Sequence, residues 1–190
     1  MENKVKYNLS NVHYAKLKVN EEGMVFDKPI PIPGAVTLSL SPNGEPEPFF
    51  ADGIVYYTLN NNMGYDGELE IALIPEKFRQ EVLNERMDKN KVLVEDVNTQ
   101  TLPFALLFEF DGDQHQIRHV MYNCSAGRPK IESKTNEESR QVQTETLSIK
   151  ARPLKEGFVK ARTGATTPEE TYKNWYETVY VPSMNQEVEV

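Results

Sequence analysis

The sequence predicts a mainly β chain of about ten strands with one surface helix and a short C-terminal helix. Three observations carry this. In GELEIALIP, Leu69, Ile71 and Leu73 alternate with Glu68, Glu70 and Ala72, a period of two that marks a strand with one buried face. In PFALLFEFDGDQHQIRHVMYNCSAG, an apolar run from Phe104 to Phe110 meets Asp111-Gly112 and returns through Ile117 to Cys124. That pattern is a β-hairpin with a two-residue turn. The helical period is confined to EKFRQEVLNERM, after Pro75, and to the last aromatic stretch.

From the N-terminus, Val5 to Val19 reads as one or two strands, with a polar interruption of Asn8, Ser10 and Asn11 around Leu9. Glu21-Glu22-Gly23 supplies a turn before a strand at Met24 to Phe26. Pro29, Pro31 and Pro33 each lack a ladder donor, so KPIPIPGA is an extended edge or linker. Val36, Leu38 and Leu40 are the inward set of a half-buried strand. Residues 41–53, with three prolines, read as a long loop whose one apolar feature is Phe49-Phe50. Two readings of that pair stay open: the rings plug the chain's own core, or they dock on a neighbouring subunit. Ile54 to Leu59 is again a strand.

Pro75 ends the strand before it and opens a helix, with Glu76 and Glu81 early, Arg86 and Lys89 late, and Phe78, Val82 and Met87 inward. Val92 to Val94 is a short strand, and 125–138 is a loop. Residues 141–151 form a strand with Leu147 and Ile149 on one side and a first half polar on both faces. Phe158 to Arg162 is the last strand. Thr167-Pro168-Glu169-Glu170 has the form of a capping box. In the helix that follows, Tyr172, Trp175, Tyr176 and Val179 make one inward stripe. The expected organisation is one domain, 1–181, with an acidic tail at 182–190.

Composition narrows the function classes. The chain has 190 residues, 38% apolar and 26% charged, with a net charge of -8. No run approaches the roughly 20 apolar residues of a membrane helix, and Met1 to Tyr7 lacks the apolar region of a signal peptide. Cytoplasmic production is expected. The negative charge disfavours phosphate binding, yet an acidic wall can repel a passing duplex and so let it slide.

Chemical motifs are sparse. His115 and His119, read as strand residues, stand about 13 Å apart, too far for one ion. Glu109, Asp111 and Asp113 would need glycine at 116 and glutamate at 122 to make a calcium loop, but Gln116 and Tyr122 stand there. A solvated acidic turn is expected instead. Cys124, the only cysteine, is at an odd separation from His119, which places the two on opposite strand faces. Asn8-Leu9-Ser10 and Asn123-Cys124-Ser125 match the glycosylation sequon, which means little without a secretory signal. No catalytic residue, metal site or cofactor is expected.

Six blocks in order carry a family likeness: GELEIALIPEKFRQEVL (67–83), FALLFEFDGD (104–113), RHVMYNCSAGRP (118–129), TETLSIKARPL (144–154), VKARTG (159–164) and YKNWYETVY (172–180). Together they resemble the major tail protein, or tail tube protein, of long, non-contractile-tailed phages (siphophages) of Gram-positive bacteria. The resemblance implies a β-sandwich or barrel-like domain with one flanking helix and a short C-terminal helix. Six copies would join their sheets in a ring, and the rings would stack into the tail tube through which phage DNA is delivered. Implied partners are other copies of the chain, a tape measure protein in the lumen, and tail terminator and distal tail proteins. DNA would pass without specific binding, in a virion tail assembled in the host cytoplasm. Within this frame, Pro48, Phe49 and Phe50 are the candidate inter-ring contacts, and Gln141, Gln143, Thr144 and Glu145 the candidate intersubunit strand. The alternative is a β-sandwich carbohydrate-binding or adhesin-type module, and a hydrolase using surface carboxylates ranks behind both.

Overall fold

A computed structural model describes residues 2–20, 23–135 and 141–182. In order, the elements are β1 (Lys6–Asn20), β2 (Gly23–Phe26), β3 (Ile30–Pro31), β4 (Ala35–Asn43), β5 (Glu47–Ala51), β6 (Ile54–Leu59), β7 (Gly64–Ile71), α1 (Glu76–Glu81), β8 (Arg86–Met87) and β9 (Leu93–Val94). There follow β10 (Phe104–Gly112), β11 (Ile117–Ala126), β12 (Glu145–Arg152), β13 (Lys160–Arg162) and α2 (Glu169–Lys173), the last extended by a 3-10 turn, Asn174–Tyr176. The protein is mostly β, with one large antiparallel sheet and two short helices.

The sheet runs β2-β1-β10-β11-β12-β7-β4, with β13 on β11 and β3 on β1. Ile30–Pro31 pairs with β1, and Ile32 N donates to Val12 O at 2.7 Å. The same stretch continues into β4 at the far end of the sheet. The ladder therefore bends round on itself like a barrel, while β4 and the first half of β12 each keep one side without a paired strand among the described residues. Inside lie Tyr14, Leu69, Ile71, Phe104, Leu106, Leu147 and Ile149, closed over by Phe78 and Val82 from α1. Phe78 meets Tyr14 edge-on at 5.0 Å and Phe104 at 5.6 Å. On the outer side Ala105, Leu107, Val120, Tyr122, Leu154 and Trp175 form a second core under the C-terminal segment. Since β10 is buried on both faces, it reads as a continuous apolar run and not an alternating one.

Several sequence expectations change, each for a local reason. The interruption in β1 is a pair of bulges in one continuous strand: the register slips between Tyr7 and Leu9 and between Ser10 and His13, and Asn8 and Asn11 take φ of 51° and 50°. Another slip between Ala35 and Thr37 turns Val36 outward and puts Ala35 against the core. Leu73 is exposed, because β7 ends at Ile71. Helix α1 is short, so Glu81 lies in its last turn, where it accepts hydrogen bonds from Tyr14 Oη at 2.7 Å and Lys16 Nζ at 3.1 Å. Arg86 and Met87 lie beyond it in β8, with Met87 exposed.

Asp111 and Gly112 remain in β10, and the turn falls at residues 113–116, which include His115. The capping box does not form either. Pro168, not Thr167, is the N-cap of α2, and Thr167 Oγ1 accepts from Gly164 N at 2.8 Å. Trp175 is buried, as its helical spacing predicts, and donates from Nε1 to His119 O at 3.3 Å. Of the predicted tail, 183–190 lie outside the described residues, as do Glu21 and Glu22 of the predicted turn.

Candidate functional site

Residues 41–53 are not a loop. Asn43 pairs with Gly64 at the end of the β4–β7 ladder, and pairing resumes with Glu47 opposite Leu59 in β5–β6. These four strands make one long hairpin whose proximal half belongs to the barrel and whose distal half is a separate two-stranded ribbon. The two halves meet at Gly44 and Gly64, with φ of 105° and 99°. A Cβ on Gly44 would lie 2.0 Å from Asn61 O, so the chain crosses there only as glycine. Asp52 and Gly53 at the tip both have positive φ, as a tight hairpin turn demands.

The ribbon carries its large apolar side chains in water. Phe49 and Phe50 are 57% and 62% exposed, and Ile54, Val55, Tyr56, Tyr57 and Leu59 are exposed with them. Phe49 lies opposite Tyr57, and Phe50 opposite Val55 on the reverse face, with a bulge between the pairs. Both faces are therefore apolar. The core-plug reading of Phe49-Phe50 fails, because neither ring enters the chain's own core. Pro48, opposite Thr58, is exposed beside them. A ribbon of two strands is marginal alone in water, and an apolar patch of this extent marks a contact surface.

The predicted intersubunit strand is only partly a strand. Gln141, Gln143 and Thr144 precede β12, and Gln143 instead exchanges hydrogen bonds with the backbone of Lys134 at 2.7 and 2.8 Å. Glu145 begins β12, but its carboxylate receives Arg79 Nη2 at 2.9 Å and Ile74 N at 2.6 Å. β12 pairs with β7 from Glu145 to Ala151, but with β11 only from Ile149 onward. On the other side of β7, β4 has no further strand beside it among the described residues. The β12–β7–β4 patch thus has an open edge on each flank.

The solvent face of this patch is polar. Thr37, Ser39 and Ser41 lie opposite Glu70, Glu68 and Asp66, which lie opposite Thr146, Ser148 and Lys150. Arg152 at 2.6 Å and Asn43 hold the Asp66 carboxyl below the usual carboxylate range. From Lys28 to Lys77 the chain has no intervening Lys, Arg or His, so the hairpin is acidic throughout.

Of the acids of the β10–β11 turn, Asp113 is exposed, as a solvated turn requires, and Asp111 is half-buried, but Glu109 is not solvated. Glu109 is buried and accepts from Arg118 Nε at 3.1 Å, Asn11 Nδ2 at 2.5 Å and Tyr176 Oη at 3.2 Å. Asp111 accepts from Asn8 Nδ2 at 2.8 Å, and Asp113 from Lys4 N at 2.8 Å. This knot joins the N-terminal strand, the hairpin and the C-terminal segment. Residue spacing held no sign of it, since its members are far apart in the chain.

His119 and Cys124 share a face, contrary to the parity argument, because β11 is bulged between Met121 and Cys124. They remain on the order of 15 Å apart along the strand. His119 stacks on Phe108 at 5.0 Å, and burial first, then Arg162, Lys160 and Lys6, push it down to about 4. Burial pushes the Cys124 thiol up to about 12, the opposite of what a nucleophile needs. Among the described residues no three His, Cys, Asp or Glu side chains group to hold a metal ion.

No family model matches the chain, and no curated protein matches it in sequence. Among solved structures, the chain is similar to the anti-feeding prophage cap (AFP tube terminating cap), known from cryo-EM, at 11% identity over 85% of this chain and 94% of that one, with a TM-score of 0.44.

Proposed function

We propose that the chain is a structural subunit that self-assembles into stacked hexameric rings, forming the tail tube of a long, non-contractile phage tail. The single observation that carries this reading is the projecting ribbon, whose two apolar faces have no cover among the described residues. Burying one Phe side chain contributes about 1.5–3 kcal/mol, so the ribbon holds a large unrealised stabilisation that a neighbouring copy can supply. Two further features support it. The open flanks of β12–β7–β4 allow sheets of adjacent copies to join, and the face with Asp66, Glu68 and Glu70 is suited to line a lumen that repels DNA. The sequence resemblance points the same way, and brings tape measure, tail terminator and distal tail proteins as partners.

Negative-stain electron microscopy and sedimentation of the purified protein test the reading. Rings or tubes with six-fold symmetry are expected, and a chain that stays monomeric at all concentrations and is absent from tails would refute it. A glycan-binding or adhesin-type module is a second reading, favoured by the exposed Phe49, Tyr56 and Tyr57. It predicts saturable sugar binding that is lost with Tyr57→Ala and leaves oligomeric state unchanged.

A further inference from the structure

The root of the ribbon holds the only Asn-Gly dipeptide in the sequence, Asn43-Gly44. Two separate demands of the fold put these residues side by side. Position 44 must be glycine, because its φ is 105° and a Cβ there would meet Asn61 O at 2.0 Å. Asparagine at 43 supplies an amide that ties β4 to β7: its Nδ2 donates to Asp66 Oδ2 at 2.6 Å, and Arg152 Nη1 lies 2.6 Å from the other oxygen of the same carboxylate. The backbone closes the same corner, since Asn43 is the last rung of the ladder, opposite Gly64, and its carbonyl accepts from Met63 N at 3.0 Å.

Asn-Gly is the dipeptide most prone to cyclise, because glycine has no side chain to keep its amide nitrogen from the preceding carboxamide. Gly44 N gives up its proton and attacks Asn43 Cγ, the Cγ–Nδ2 bond breaks, and ammonia leaves with that proton. Water then opens the five-membered imide at one carbonyl or the other, which leaves aspartate or isoaspartate at position 43. The attack requires the backbone of Asn43 to swing out of the extended range, so that Gly44 N stands over Cγ, and it requires the carboxamide to turn freely. In the folded chain Asn43 is a strand residue with a paired carbonyl, and Asp66 holds its carboxamide. The Asp66 carboxylate also opposes the negative charge that develops on the attacking nitrogen.

We propose that Asn43-Gly44 is a deamidation site locked by the clamp of Asp66 and Arg152, and that its conversion releases the root of the ribbon irreversibly. A carboxylate at position 43 stands where an amide donated to Asp66, so a contact of 2.6 Å turns from attractive to repulsive. In the isoaspartyl product the main chain gains one carbon at this position, and the rung with Gly64 loses its register. Either product keeps the last rung from re-forming, so a transient local opening is recorded in covalent structure. The inference concerns the subunit alone and stands whether or not the chain builds a tube.

Two measurements test it. The full chain is incubated in warm neutral buffer, and the chymotryptic peptide 41–49 is followed by mass spectrometry together with enzymatic isoaspartyl labelling. Conversion is expected to be slower in the folded chain than in the same chain unfolded in urea by roughly tenfold or more, and Asp66→Ala should raise the folded rate by roughly tenfold, the weight of a hydrogen bond to a charged group, without changing the unfolded rate. Urea below the unfolding transition gives the same comparison without a mutation, and there the rate should climb as the root opens. Separately, Asn43→Asp, a copy of one product, should speed hydrogen exchange at Met63 N–H, which Asn43 O holds, and leave the β10 amides as they are. Equal rates in folded and unfolded chains, or a folded Asp66→Ala chain that converts at the wild-type rate, overturn the clamp. Unchanged exchange at Met63 in the Asn43→Asp chain overturns the release.

Discussion

Arg118 is held from two sides: its Nε donates to the buried Glu109 carboxylate at 3.1 Å, and its guanidinium lies 3.8 Å above the ring of Tyr172. Glu109 and Arg118 are direct cross-strand partners in β10 and β11, so the pair bolts the hairpin to the C-terminal segment. Removing one partner of a buried ion pair strands the other's charge, at a cost of about 3–5 kcal/mol. Glu109→Ala is expected to lower unfolding stability by that order in a urea titration. Arg118→Met, which keeps the bulk and removes the charge, should cost less if made together with Glu109→Leu than when made alone.

The ribbon aromatics separate stability from assembly. With Phe49 and Phe50 more than half exposed, replacing both with serine should change monomer stability by less than about 0.5 kcal/mol, as for an ordinary surface substitution. The same double variant should fail to stack. Calorimetry of the subunit alongside sedimentation of the assembled material reads the two effects, and a collapse in melting temperature with assembly intact would reverse their assignment.

Cys124 is expected to be silent to thiol reagents in the folded chain. It is buried, and burial raises its thiol to about 12, so almost no thiolate exists at pH 8. Labelling should therefore follow global unfolding and accelerate in step with denaturant. Rapid modification in native buffer would show that β11 opens locally.

His119 gives the subunit an acid limit. Its folded value, about 4, lies below the 6.5 of the unfolded chain. The unfolded state therefore binds the extra proton first, and stability falls as pH drops from about 6.5 towards 4, by up to about 3 kcal/mol. Above 6.5 this contribution is constant. His119→Phe, which retains a ring against Phe108, should flatten the urea midpoint over that window. An unchanged pH profile would place the acid sensitivity in other groups.

Strict alternation was legible wherever it survived in the backbone: β7 and β12 bury Leu69, Ile71, Leu147 and Ile149 as the period of two requires. It misled at bulges. A single extra residue inverted the expected facing of Val36 and brought Cys124 to the side of His119. The prolines of 41–53 were read as loop residues, yet Pro42 and Pro48 sit in strands paired along one side only, where a missing N–H can point away from the partner. Proline content marks an edge as readily as a loop. The Glu109 knot draws on Asn11, Arg118 and Tyr176, and no local period relates positions so distant. By contrast, the apolar content of Phe49-Phe50 was informative without any knowledge of the strand, since rings in a polar stretch demand cover.

The long hairpin has a mechanical meaning as well. Its distal half is the same pair of strands as its proximal half, interrupted only around Gly44 and Gly64. A pull directed along β4 and β7 meets ladder hydrogen bonds that lie across the strands. The load is thus met by many bonds in shear at once, not by one bond at a time in peeling. An element that looks like an appendage is in this sense a tendon, anchored in the barrel wall along the whole length of two strands.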